Sequence, residues 1–142
     1  MSTQDDVRAA STQFYTALNS MANGDASPMA DVWSHDATVT TLHPIGGRQN
    51  GWDEVRGSFE GVAQLASDGR VDVRDQSIQV VGDLAYEVAV EYGQFTVAGE
   101  RITVEHRVTN VYRRQDGVWK IVHHHTDISP PMVELLNRLR AA

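Results

Sequence analysis

The stretch ITVEHRVTNVYRRQDGVWKIVHHHTDI, Ile102 to Ile128, decides the fold. Two long runs rich in Val, Ile, Thr, Tyr and Trp flank Gln115-Asp116-Gly117, which is the composition of two paired strands around a turn. Toward the N-terminus, Val97 and Arg101 flank Ala98-Gly99-Glu100. Further back, Val71 to Val81 and Leu84 to Val97 flank Gly82-Asp83, a two-residue hairpin turn. Three consecutive hairpins predict a meander. Long strands of this kind twist and coil, and helices cover one face only. Pro130-Pro131 ends the last strand, and Met132 to Arg140 reads as a short terminal helix.

The first half of the chain reads as helical. Val7, Ala10, Phe14, Leu18 and Met21 recur at steps of three and four, which makes one apolar stripe on a helix over residues 3–22. Asp5 and Asp6 sit in its first turn, where the helix dipole favours anions. Asn23-Gly24-Asp25 stops it. A short helix follows Pro28, a first strand spans Ala37 to Leu42, and His43-Pro44-Ile45-Gly46-Gly47 breaks that strand. Gly51 to Ala66 reads as a third helix, ended by Ser67-Asp68-Gly69.

The totals set bounds on function. The 142 residues fit one domain, 1–142, large enough to hold a core without staples. There is no cysteine, which excludes a disulfide framework, a thiolate zinc site and a cysteine nucleophile, and fits a reducing compartment. The formal net charge of −7 is wrong for grasping phosphate backbones, so no nucleic-acid partner is expected. MSTQDDVRAA carries no basic region followed by an apolar one, and no apolar run approaches the ~20 residues of a membrane span. The expectation is a soluble, cytoplasmic protein with no membrane partner.

Strand register decides which side chains meet. A three-residue loop at Gln115-Asp116-Gly117 pairs Arg114 with Val118, Asn110 with Val122 and Val108 with His124. The even-numbered face, Ile102, Val104, His106, Val108, Asn110, Tyr112, Val122, His124 and Thr126, is apolar with a few neutral polar groups, and is read as the inner one. Leu84, Tyr86, Val88, Val90 and Tyr92, alternating with Glu87 and Glu91, are read as facing inward with it. A two-residue turn is the alternative; it would bring His123 and His125 inside, because one residue of slip exchanges the faces. In the first register Trp119 and Ile121 stand on the outer face among charges. They are then either scattered surface apolars or the contact of a homodimer formed through the outer sheet face.

Ser34-His35-Asp36-Ala37-Thr38-Val39, His43-Pro44-Ile45-Gly46-Gly47, Gly51-Trp52-Asp53-Glu54-Val55 and Arg113 through His125 together resemble the nuclear transport factor 2-like superfamily. Within it the chain is similar to SnoaL-like, ketosteroid-isomerase-like proteins and to the association domain of calcium/calmodulin-dependent protein kinase II. The resemblance implies an α+β fold, a cone-shaped barrel of strongly curved antiparallel sheet over N-terminal helices, usually dimeric. It implies no single function, since the fold hosts enzymes, transport factors and oligomerisation modules. In ketosteroid isomerases a catalytic aspartate precedes the proline after the first strand; here His43 stands before Pro44. Tyr15, or Phe14 if the offset differs, lies near the place of those enzymes' oxyanion-binding tyrosine. The places of the kinase domain's pocket arginines are taken by Val88, Asn110 and Thr126, so the pocket should prefer neutral ligands.

The candidate chemistry follows. His43 is the candidate general base, since an ordinary histidine titrates near neutral pH, and Tyr15 is the hydrogen-bond donor to a developing oxyanion. Against this stands a turn histidine bonded to nearby backbone. His106, Asn110, His124 and Thr126 form a polar group on the inner face, either self-satisfied or ligand-binding. Tyr15, Trp52, Tyr86, Tyr92 and Tyr112 supply flat walls for a ring-shaped ligand where they reach the cavity. Of His123-His124-His125, only the outer two share a face, and a metal site needs a third protein ligand, so no metal and no cofactor is expected. The expected function is binding, and isomerisation or dehydration, of a neutral hydrophobic or ring-shaped molecule. The alternative is a non-catalytic dimerisation module.

Overall fold

The computed structural model describes residues 3–141, so residues 1, 2 and 142 of the expected domain lie outside it. The helices are α1 (Thr3–Met21), α2 (Met29–Val32), α3 (Trp52–Ala63) and α4 (Pro130–Ala141). The strands are β1 (Thr40–Leu42), β2 (Gln49–Asn50), β3 (Ala66–Val81), β4 (Leu84–Val97), β5 (Glu100–Gln115) and β6 (Val118–Thr126). They form one sheet in the order β2-β1-β6-β5-β4-β3. The long strands make the expected meander. The short first strand is not antiparallel to its long neighbour but runs parallel to β6. The sheet curls without closing, since β2 and β3 remain its edges.

The curl has local causes. Register shifts interrupt the β3–β4 ladder between Ser67 and Arg70 and between Arg74 and Ser77, and bulges of this kind raise the local twist. Gly93 sits opposite Val71 with φ +154°, and a Cβ there would lie 2.0 Å from the Arg70 carbonyl oxygen, so only glycine lets the strands approach. Ser67, Asp68 and Gly69, expected as a loop, lie inside β3: α3 ends at Ala63, and Ala66 pairs with Val97 at once. The apolar stripe of α1 packs into the hollow of the sheet. Phe14, Met29, Trp33, Val55, Phe59 and Ile121 are buried there, and burial of each such side chain contributes about 1.5–3 kcal/mol.

Two turns are one residue shorter than expected, with different consequences. Ala98-Gly99 is a two-residue turn, with φ of +49° and +83°, the conformation such hairpins favour. Val97 therefore pairs with Glu100 rather than Arg101, and Glu87 rather than Val88 lies opposite Asn110. The slip turns β4 over. Leu84, Tyr86, Val88 and Tyr92 are exposed on the outer face, while Glu87 and Glu91 are 0% and 3% exposed on the inner one. The inward placement of the Tyr86 set is thus corrected.

Asp116-Gly117 is also a two-residue turn, and Gln115 pairs with Val118. Here a second slip restores the expected faces, though not the expected partners. A bulge between Val111 and Tyr112 places one extra residue, Val122, on β6, after which Val111 pairs with His123 and Asn110 with His124. The even-numbered residues from Ile102 to Tyr112, together with Val122, His124 and Thr126, are therefore buried as expected. Trp119 and Ile121 precede the bulge, so they share the inner face with Tyr112. They are 8% and 1% exposed, which removes them from any dimer contact.

Candidate functional site

The inner face of β4, β5 and β6 carries two buried carboxylates, each surrounded by donors. Glu87 accepts hydrogen bonds from Ser11 Oγ (2.8 Å to Oε2), Gln76 Nε2 (2.7 Å), Asn110 Nδ2 (3.0 Å) and Tyr112 OH (2.9 Å). Glu91 accepts from Tyr15 OH at 2.8 Å and from His106 Nε2 at 2.7 Å. Ser11 and Tyr15 stand one helical turn apart on α1 and so reach the same sheet face. Asn110 links the two clusters: its Nδ2 also donates to Tyr15 OH at 3.1 Å, and its Oδ1 lies 2.6 Å from His124 Nδ1.

Beside this network lies a cavity of about 60 Å³. Its walls are apolar, among them Leu18, Met21, Phe59, Val62 and Phe95, with Met132 of α4 contributing. Its polar lining is His43, Glu91, His106 and His124. His43 arrives by strand parity. Thr41 pairs with the inward His124, and two residues on the chain presents the same face again. The Nε2 of His43 lies 2.8 Å from Ser58 Oγ on α3, and its ring packs edge-on against Phe59. The rings of His43 and His124 are 6.1 Å apart.

Burial sets the charge state. Desolvation, joined by repulsion from His124, lowers His43 to about 3. Desolvation likewise lowers His124 to about 4, against the opposing pull of Glu91. Both rings are neutral at pH 7, so the expectation that His43 titrates near neutrality is corrected. Burial pushes Glu91 upward, but the hydrogen bond from His106, joined by the one from Tyr15, counters this and leaves it below the usual glutamate value. Burial, then the charge of Glu91, holds the Tyr15 phenol well above its ordinary value, so it keeps its proton.

Of the residues singled out in the sequence, His43, His106 and His124 meet at the cavity. Tyr15, Asn110 and Tyr112 are buried behind it in the carboxylate network. The Tyr15 proton is committed to Glu91, which removes Tyr15 as an oxyanion donor in this arrangement. Thr126 is buried, its Oγ1 without a partner among the described residues. Trp52 stacks on His35 with ring centroids 4.5 Å apart and does not line the cavity. Tyr86 and Val88 are on the outer face, about 46% and 41% exposed, so neither is a wall of the cavity. Glu87 and Glu91 went unread, because charged residues alternating with Tyr and Val look like a solvated face. The signal was available in Ala85 and Ala89, the small residues that share their face.

A model of the SnoaL-like domain family matches residues 7–132. Among solved structures, the chain is similar to a candidate calcium/calmodulin-dependent protein kinase type II association domain from Thiobacillus denitrificans (26% identity, TM-score 0.72, covering 86% of this chain and 94% of that one). It is similar to a candidate dehydratase of the NTF2-like family from Streptomyces avermitilis (24% identity, TM-score 0.77, 89% and 95% covered). A nuclear transport factor 2-like superfamily protein from Salmonella enterica aligns at 15% identity with TM-score 0.78, covering 87% and 89%. No curated protein matches the chain.

Proposed function

The chain belongs to the SnoaL-like domain family, and from that premise we propose that it binds a neutral, largely apolar small molecule and moves a proton on it, isomerising or dehydrating it. The observation that carries this reading is the pair of neutral histidines, His43 and His124, at the polar end of an apolar cavity beside the ionised Glu91. A neutral imidazole accepts a proton from the ligand, and the buried carboxylate stabilises the imidazolium that forms. In an elimination, the electron pair of the broken C–H bond becomes the new double bond. The hydroxyl then leaves as water with the proton the imidazolium returns. In an isomerisation the proton returns to a different carbon. Both sequences balance without a cofactor. The likeness to a protein named as a candidate dehydratase supports the same chemistry. The lack of cysteine supports a cytoplasmic setting.

The cavity volume bounds the ligand. About 60 Å³ holds a few water-sized groups, well below the roughly 300 Å³ at which ordinary ligand pockets begin. A ring-bearing ligand therefore requires the apolar wall to give way. Proton transfer is read without knowing the product: a panel of neutral hydroxy-ketones and enones is incubated with protein in deuterated water and followed by NMR. Wild-type protein is expected to exchange or eliminate on at least one member, and His43→Ala or His124→Ala to slow it by about 100-fold or more. Wild-type rates equal to those of both variants would remove the catalytic reading.

A dimer rests on a separate observation. Leu84, Tyr86, Val88 and Tyr92 form an exposed apolar row along β4 on the outer face of the sheet, continued by the half-buried Val111 opposite Tyr86. A second copy of the chain is the occupant we propose for it, and the likeness to a kinase association domain supports assembly. Light scattering after gel filtration is expected to give a dimer mass for the wild type and a monomer mass for Val88→Arg. A mass unchanged by that substitution would count against this face.

A further inference from the structure

We infer that the polar end of the cavity is built of hydrogen-bond acceptors alone and takes its ligand through a hydroxyl group, not through a carbonyl. This rests on the reading of the cavity as a ligand site and adds to it the chemical group that is recognised.

The argument accounts for every proton at that end. Asn110 is oriented by Glu87: a reversed amide would set Oδ1 against the Glu87 carboxylate at 3.0 Å, so Nδ2 faces Glu87 and Oδ1 faces His124. The group 2.6 Å from Oδ1 must then be the donor, so His124 carries its proton on Nδ1 and a lone pair on Nε2. His43 is fixed from the other side. Ser58 Oγ gives its only proton to the Val55 carbonyl at 2.6 Å, so it accepts from His43 Nε2–H at 2.8 Å, and the lone pair lies on Nδ1. His106 donates Nε2–H to Glu91, leaving Nδ1 buried and without a partner among the described residues. A proton there would be a buried N–H with no acceptor, a rarer and costlier state than an idle lone pair. Tyr15 gives its proton to Glu91. The donors are all committed inside the protein. What is left for the ligand is the lone pairs on His43 Nδ1 and His124 Nε2 and the oxygens of Glu91.

A hydroxyl satisfies such a site, because it brings a proton. A carbonyl brings only further lone pairs, and burying it unpaired is unfavourable. Asn110 and Glu87 act as positioning residues: they touch no ligand and set which nitrogen of His124 does.

The test uses 2-propanol and acetone, which share a skeleton of four heavy atoms and differ in donor capacity. Both are titrated into the intact protein while the histidine side-chain nitrogens are followed by 1H–15N NMR. Expected are Nδ1-protonated His124 and Nε2-protonated His43 before any addition. Then 2-propanol shifts the unprotonated nitrogens, at an affinity at least ten-fold above that of acetone. Acetone binding as well as 2-propanol, or the opposite tautomers, overturns the inference and leaves the pocket reading standing. Neither probe reaching the histidines overturns both.

Discussion

Replacing Glu87 with alanine is expected to cost about 4 kcal/mol of stability and to lower the melting temperature by roughly 8–16 °C. The side chain is fully buried and accepts hydrogen bonds from Ser11, Gln76, Asn110 and Tyr112. Its removal strands those donors in the core, and each stranded buried donor costs about 1–3 kcal/mol. Ser11 and Gln76 recover part of the loss by bonding each other, since they already lie 3.3 Å apart; Asn110 and Tyr112 do not. Glu87→Gln keeps the shape and turns an amide NH₂ toward one of those donors, so its cost falls between alanine and wild type. Thermal unfolding decides the matter, and an alanine variant melting within 3 °C of wild type would show that Glu87 is not the hub described.

Acid is expected to weaken the fold by several kcal/mol between pH 6.5 and pH 4. In the unfolded chain His43 and His124 take up protons near pH 6.5; in the folded protein they resist until about 3 and about 4. Between those values the unfolded state binds more protons, so stability rises with pH and is lost on acidification. Each ring contributes at most about 1.4 kcal/mol per pH unit, or about 3 kcal/mol by pH 4. Glu91 acts in the same direction: its folded value lies below the ordinary one, so its stabilisation is present above the usual glutamate range and lost as pH falls through the folded value. More than about one pH unit above 6.5 none of these groups contributes a slope. Melting temperatures at pH 7, 5.5 and 4 test this, with His43→Leu expected to flatten the decline by one ring's share. A flat profile from pH 7 to pH 4 in the wild type would mean that the rings are not held neutral in the core.

Both expectations rest on side chains that were read to opposite sides from sequence. The inward faces of β5 and of the end of β6 were legible, because Val104, Val108, Tyr112 and Val122 alternate with Glu105, Arg107 and Arg113, and burying three charges on one strand is prohibitive. On β4 the same rule pointed the wrong way. Tyr86, Val88 and Tyr92 are larger and more apolar than Ala85 and Ala89, so the sheet interior looked like theirs. What reverses the choice is the length of the Ala98-Gly99 turn and the presence of Ser11 and Tyr15, 76 residues away, to satisfy Glu87 and Glu91. A turn shorter by one residue differs little in local energy, yet it turns over every side chain of the strand.

The sequence by itself therefore determined the element order, the three hairpins and the resemblance to a superfamily, because apolar periodicity and turn residues act over a few neighbours. It also brought His43, His106 and His124 forward as candidates. Only the tertiary structure decided which face of β4 is inside, where β6 bulges, and that Tyr15 serves a carboxylate. It alone decided which nitrogen of His43 and of His124 carries the proton. Those outcomes depend on hydrogen bonds between α1, α3 and the sheet, and a proton's place on a ring is set by whichever group the completed fold puts 3 Å away.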